Sequence, residues 1–145
     1  MNIGIGSDHA GFRYKEMLRQ HLADSGHEVH DFGAYTDEPV DYPQFIRPVA
    51  EAVARRVVEI GIVLGGSGNG EAIVANKVAG IRCAVCWNID SARLAKEHNN
   101  ANMISLGERL ISEETARAIV DAWLSAQFQG GRHKRRIGQI EPAAQ

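Results

Sequence analysis

The stretch "VLGGSGNGEAI", residues 63–73, runs an apolar segment into a loop with glycine at 65, 66, 68 and 70, then places a carboxylate, Glu71, at the head of a second apolar segment. A strand, a tight glycine turn and a helix are the natural reading of that order, and such junctions hold phosphates on helix N-terminal amides. Two nucleotide templates can be laid on the loop, and both fail at the same residue. From Gly65 to Gly70 the spacing matches the first half of G-x-x-x-x-G-K-[ST], but Glu71 and Ala72 stand where Lys and Ser or Thr are needed. A dinucleotide fingerprint starting at Gly66 reaches Glu71 where it needs Gly or Ala. A carboxylate in the first helical turn is favoured by the helix dipole, yet it would repel a polyphosphate placed there. The loop amides and the Ser67 hydroxyl could instead hold one developing oxyanion while Glu71 moves a proton beside it, which is an enolising site. Taken alone, Glu71 reads by default as an ordinary first-turn residue favoured by the helix dipole.

Outward from this junction the same alternation recurs. Short apolar runs at 2–6, 28–32, 60–65, 81–86 and 102–107 alternate with segments of helical period, which predicts the α/β class: a five-stranded parallel sheet with helices on both faces. Tyr14, Met17, Leu18 and Leu22 mark one helix, with Gly26 where it would stop. Ile46, Val49, Val53 and Val57 mark a second, after "VDYP". A later helix begins at Ser112 or Glu113, turns Ile119, Ala122, Trp123 and Ala126 inward, and ends before Gly130 and Gly131. Residues 132–145 are too polar to add a core element, so they either fray or dock on something else.

At 145 residues the expectation is one domain, 1–145, with a basic extension over 130–145. A 44% hydrophobic and 23% charged composition is that of a globular protein. The net charge of -2 gives no global attraction to nucleic acid, and the one dense basic cluster, "RHKRR" at 132–136, lacks interleaved aromatics. No apolar run approaches the ~18 residues of a membrane span and the N-terminus shows no leader pattern, so a cytoplasmic protein without membrane contact is expected. Cys83 and Cys86 form a C-x-x-C, but residues three apart on a strand face opposite sides and no second pair completes a metal site. Buried thiols outside the glycine loop are the expectation. The six histidines are scattered and compose no metal site either.

Ligands of open parallel sheets bind beyond the carboxyl ends of the strands. Placed there by the sequence are Ser7, Asp8 and His9 after the first run, Asp41 and Tyr42 beyond the second, and the loop Gly66, Ser67, Gly68, Asn69, Gly70 with Glu71 after the third. His98 and Asn99 of "HNNAN" and then Glu108 and Arg109 are expected to complete the same rim. Each has a bland alternative, Asp8 as a helix cap or Arg109 as a solvated charge, but together they outweigh it. An enolising sugar site also needs a ring-opening acid or base, a role for which histidine is the suited residue type and His98 the candidate. It needs an anchor as well: Arg132 and Arg136, four apart, could present two guanidinium forks to a phosphate from one helical face.

With these residues assembled, the chain resembles the ribose-5-phosphate isomerase B family, which includes galactose-6-phosphate isomerase subunits. The resemblance lies in "GSDHAGF", "DYP", "GSGNG", "ANK" at 75–77, "GIR" at 80–82, "HNNANM" and "AWLSAQFQGGRHKRR", in order along nearly the whole chain. It implies a Rossmann-like three-layer α/β sandwich and an obligate homodimer, sometimes a dimer of dimers, with active sites at the subunit boundary and the C-terminal segment docking on the partner. It also implies aldose–ketose interconversion of a phosphorylated sugar through a cis-enediolate, without metal or organic cofactor. Position by position, the resemblance assigns Asp8 and His9 to the first site loop and Tyr42 to the DYP tyrosine. It assigns Ser67, Gly68, Asn69 and Gly70 to the anion hole, His98 to ring opening with Asn99 beside it, and Arg109, Arg132 and Arg136 to the phosphate. Many members carry a cysteine base where this chain has Gly65; the chain resembles instead the branch in which the glutamate of "GGSGNGE", here Glu71, is the base. Ribose 5-phosphate to ribulose 5-phosphate is the substrate pair implied first, with four-carbon (erythrulose 4-phosphate) and six-carbon phosphates as alternatives. A nucleotide-binding module on the same scaffold is the competing class.

Overall fold

Alternation along the first strand decides what packs on each side of the sheet. In the computed structural model, which describes residues 1–143, Ile3 and Ile5 are fully buried on one face, among residues from three helices. Gly4 and Gly6 face the other side, and there a Cβ would meet Val49 at 3.3 and 2.7 Å; Gly61 on the neighbouring strand offers the same opening at 3.0 Å. Three glycines thus let one helix settle closely on the sheet through Val49, a contact that larger side chains would hold apart.

The strands are β1 (Asn2–Ser7), β2 (Glu28–Asp31), β3 (Ile60–Gly65), β4 (Cys83–Val85) and β5 (Met103–Gly107). The helices are α1 (Phe12–Asp24), α2 (Pro43–Ala54), α3 (Asn69–Asn76), α4 (Ile89–Asn99), α5 (Glu113–Ser125) and α6 (Arg132–Ile137). All pairings are parallel, in the order β2-β1-β3-β5-β4, with Ile3 opposite Ile60 and Gly65 opposite Gly107. α1, α4 and α5 cover the face carrying Ile62, Leu64, Ile104 and Leu106; α2 and α3 cover the face carrying Val63 and Met103. This is the expected three-layer α/β sandwich with a five-stranded parallel sheet. The direction of winding reverses between β1 and β3, so the crevice at their carboxyl ends is the position where such sheets bind ligands.

Helix ends follow local chemistry. Gly26 stops α1 as expected: its φ is 89°, with Gly26 N–H donating to Ala23 O and His27 N–H to Leu22 O. Ser112 caps α5 by accepting from Thr115 N–H at 3.1 Å, a contact of about 1 kcal/mol. Three expectations are corrected. α2 ends at Ala54 because Arg56 takes a left-handed conformation (φ 60°), with Arg56 N–H donating to Val53 O and Val57 N–H to Ala52 O; Val57 is left exposed while Val58 is buried. α5 stops at Ser125, leaving Ala126 extended rather than inward on the helix. The run 81–86 yields only the three residues of edge strand β4, since Arg82 donates its N–H to the Asn102 side chain instead of joining a ladder. The segment 132–143 neither frays nor lies clear of its own chain: α6 packs on α4, and Glu141 accepts from Gly80 N–H at 2.7 Å.

Candidate active site

The carboxyl ends of β1, β3 and β5 converge on the glycine loop. Gly68 turns the chain into α3 with φ 83°, where a β-carbon would be strained, and its carbonyl accepts from the fully buried Ser105 hydroxyl of β5 at 2.7 Å. Ser67 Oγ accepts from Asn69 N–H at 3.2 Å. Gly107 lies directly under the Ser67 backbone, and Glu108 and Arg109 donate their N–H groups to Gly65 O and Gly66 O at 2.9 and 3.1 Å. The loop is therefore bolted to the end of β5 along its length. The Arg109 guanidinium lies against Gly66, and the Tyr42 ring lies against Gly70.

Glu71 is buried, 4% exposed, in the first turn of α3. Its carboxylate occupies the space that a side chain at Gly65 would fill: a Cβ built on Gly65 would overlap it. Burial pushes the Glu71 pKa up and the charge of Asp8 adds to the rise, while the N–H groups of Glu71 itself and Gly68 work against it. Asp8, likewise buried, spends Oδ1 on the N–H groups of Ala10 and Gly11 at 2.9 and 3.1 Å, capping the turn that precedes α1. Beside it His9 Nδ1 accepts from Val40 N–H at 3.1 Å, so the ring proton sits on Nε2. His9 and Arg109 line a cleft of about 560 Å³ with Arg13, Glu16, Asp37 and Glu108.

Not all the expected residues reach this rim. α4 returns the chain to the opposite edge, where Asn99 and Asn100 carbonyls accept from Arg82, the residue that precedes β4. His98 and Asn99 thus lie at the amino ends of β4 and β5. They are separated from the carboxyl rim by the length of β5, about 15 Å at ~3.3 Å per residue. α6 lies on the same edge, with His133 stacked on His98 at 4.3 Å between ring centroids and Arg132 and Arg136 exposed around it. Asp8, His9, Tyr42, Gly66, Ser67, Gly68, Asn69, Gly70, Glu71 and Arg109 form one cluster. His98, Asn99, Arg132 and Arg136 form a second, which corrects the expectation of a single rim.

The cysteines face opposite sides of the sheet as expected, Cys86 in one hydrophobic cluster and Cys83 in the other. Burial pushes the Cys86 thiol up to about 12. Cys83 is raised by burial, then by Cys86 and by Glu71, and it lines a surface hollow together with Asn69 of the loop. No group of three or more His, Cys, Asp or Glu side chains capable of holding a metal occurs among the described residues, and no helix there is long and apolar enough to cross a membrane.

The profile of the family described as Ribose/Galactose Isomerase matches residues 3–140. The chain belongs to the ribose/galactose isomerase family. It is 48% identical over 139 residues to a ribose-5-phosphate isomerase B of Mycolicibacterium paratuberculosis, covering 94% of this chain and 87% of that protein. Among solved structures, the Clostridium thermocellum ribose-5-phosphate isomerase B superposes with a TM-score of 0.96 at 52% identity, covering 97% of this chain and 95% of the other. The Mycoplasma genitalium enzyme, solved with bound ribulose-5-phosphate, gives 0.92 at 40% identity, with 96% and 93% covered.

Three buried polar residues around the two clusters escaped sequence reasoning. Ser105 is a polar residue on an inward strand position, a signal that periodicity contained. Lys15 shares the buried stripe of α1 with Leu18 and Leu22, where a lysine is ordinarily read as solvent-facing. Fully buried, it bonds both Asp31 oxygens at 2.9 and 2.8 Å, and Asp31 in turn accepts from Gly33 N–H, pinning the start of the loop that leads to Tyr42. The burial of His133 inside a basic run had no sequence signal.

Proposed function

We propose that this chain catalyses the interconversion of ribose 5-phosphate and ribulose 5-phosphate through a cis-enediolate, as an aldose–ketose isomerase. The observation that carries the reading is the Glu71 carboxylate, buried under an oxyanion-binding loop in the space that Gly65 leaves open. A base tuned upward by burial is suited to taking a carbon-bound proton near neutral pH. Glu71 removes the C2 proton of the open-chain aldose and returns it to C1; the loop amides and Ser67 stabilise the enediolate oxygen. His98 protonates the ring oxygen during opening, with Asp8 accepting the anomeric hydroxyl proton, and Asn99 orients the sugar. His9, as a neutral Nε2–H donor, and Arg109 approach the phosphate from one side, Arg132 and Arg136 from the other, and Tyr42 closes over Gly70.

Because the two clusters occupy opposite edges of one sheet, the working site combines Glu71 and Arg109 of one chain with His98, Asn99, Arg132 and Arg136 of a second copy. Exposed Trp87, Ile89 and Leu94, at 61, 52 and 37% exposure around the start of α4, and Ile73 on α3 provide apolar surface for such a dimer. The domain 1–145 acts as one unit in the cytoplasm. The test is a side-by-side assay of four-, five- and six-carbon phosphosugars with purified protein and Glu71→Gln. Turnover of ribose 5-phosphate above the others, lost by about 10²-fold or more in the variant, is expected; a variant with near-normal turnover sinks the role of Glu71, and faster turnover of another sugar reassigns the substrate.

A further inference from the structure

Within "RHKRR" only His133 is buried. Its ring lies flat on His98, 4.3 Å between centroids and 10° between planes. The delivery is built: Glu97, one residue before His98, accepts from Arg93 at 2.6 Å and from the Gln129 side chain at 3.2 Å, and its carbonyl accepts from Gln129 N–H at 3.0 Å. Gly130 and Gly131, both with positive φ (67° and 56°), then turn the chain so that α6 starts against the last turn of α4. α4 is thereby tied to α6, the helix that carries the basic residues, and the stack is where the two elements meet.

We propose that His133 is a positioning residue, the flat bed that fixes the plane of the His98 imidazole at the end of α4. The inference rests on the reading of His98 as the ring-opening acid. Two stacked imidazoles cannot both carry charge without repulsion, so a ring packed flat against His98 favours its neutral form. Burial pushes His133 below the ordinary histidine range, and repulsion from His98, Arg132 and Arg136 pushes the same way. The other charged groups of the packed elements do not reverse this: Glu97 is engaged by Arg93 and Gln129, and Arg82 is bonded to the Asn99 and Asn100 carbonyls. His98 sits in the last turn of α4, where the helix dipole favours a cation. A neutral His133 stacked beneath His98 is the arrangement that satisfies all of these.

Kinetics of His133→Ala, His133→Phe and His98→Asn with ribose 5-phosphate, with NMR titration of the histidine rings, test the proposal. His133→Ala is expected to lower kcat about 10-fold with KM within about 2-fold, and His133→Phe, which restores a flat partner, to recover most of that loss. The His133 titration midpoint is expected below that of an ordinary histidine and to rise in His98→Asn. A raised KM with intact kcat in His133→Ala would make the residue a mere support for Arg132 and Arg136 and overturn the proposal. So would His133→Phe as slow as His133→Ala, or a His133 midpoint unmoved in His98→Asn. Retained activity in His98→Asn defeats the catalytic reading of His98 and this proposal with it; a dead His98→Asn beside a fully active His133→Ala defeats this proposal alone.

Discussion

Gly107 ends β5 beneath the Ser67 backbone, and a Cβ built on it would lie 2.6 Å from the Ser67 carbonyl oxygen and 2.7 Å from its carbonyl carbon. Ordinary carbon contacts begin near 3.4 Å, so Gly107→Ala must push the loop outward by about 0.8 Å. The obstacle is backbone rather than the end of a flexible side chain, and it cannot swing aside. The N–H groups of Glu108 and Arg109 that hold Gly65 O and Gly66 O follow directly after Gly107, so the displacement spreads along the anion-holding turn while Glu71, on α3, stays where it is. Misplacing an oxyanion donor by this amount costs on the order of 10- to 100-fold in kcat. Steady-state kinetics with ribose 5-phosphate, accompanied by a thermal melt to show the variant folded, would read it. A folded Gly107→Ala enzyme with wild-type kcat would refute the claim that this loop holds the transition state.

Burial makes the folded protein bind the Glu71 proton more tightly than the unfolded chain does, so the carboxyl costs nothing well below pH 4.5 and removes stability as pH rises from there through the raised folded value. Glu71→Gln should therefore melt higher than wild type at pH 7, lose that advantage near pH 4, and be inactive at both; an unchanged melting temperature at pH 7 contradicts the buried-charge account. The acid limb of kcat/KM should fall at a pH above the 4.5 of an ordinary glutamate, read from a pH–rate profile. Arg136→Ala, which removes one exposed guanidinium from α6, should raise KM for ribose 5-phosphate at least about 10-fold and change kcat less, as befits a charged contact to a non-reacting phosphate. An unchanged KM removes Arg136 from the phosphate site.

The sheet was legible because strands buried on both faces read as continuous apolar runs. Glu71 was legible because it broke two templates at once. Cα-level events at the ends of elements were not: the left-handed Arg56 that moves burial from Val57 to Val58, and the shortening of β4 at an edge with one neighbour, depend on partners far along the chain. The placement of His98 and Asn99 was missed although chain direction fixes it, since a helix between two parallel strands must carry its end back to the amino edge. Residue type masked the rest. His133 inside a basic run and Lys15 on an apolar stripe are buried by tertiary partners, a ring and a carboxylate, that no local pattern announces.

The division of one site between two copies of the chain can be read by complementation. Glu71→Gln and His98→Asn, each inactive alone, are unfolded and refolded together so that dimers form at random, and ribose 5-phosphate turnover is measured. A shared site gives each mixed dimer one intact Glu71–His98 pair, so about a quarter of wild-type activity per site should return. No recovery from a mixture shown to contain mixed dimers would contradict the account.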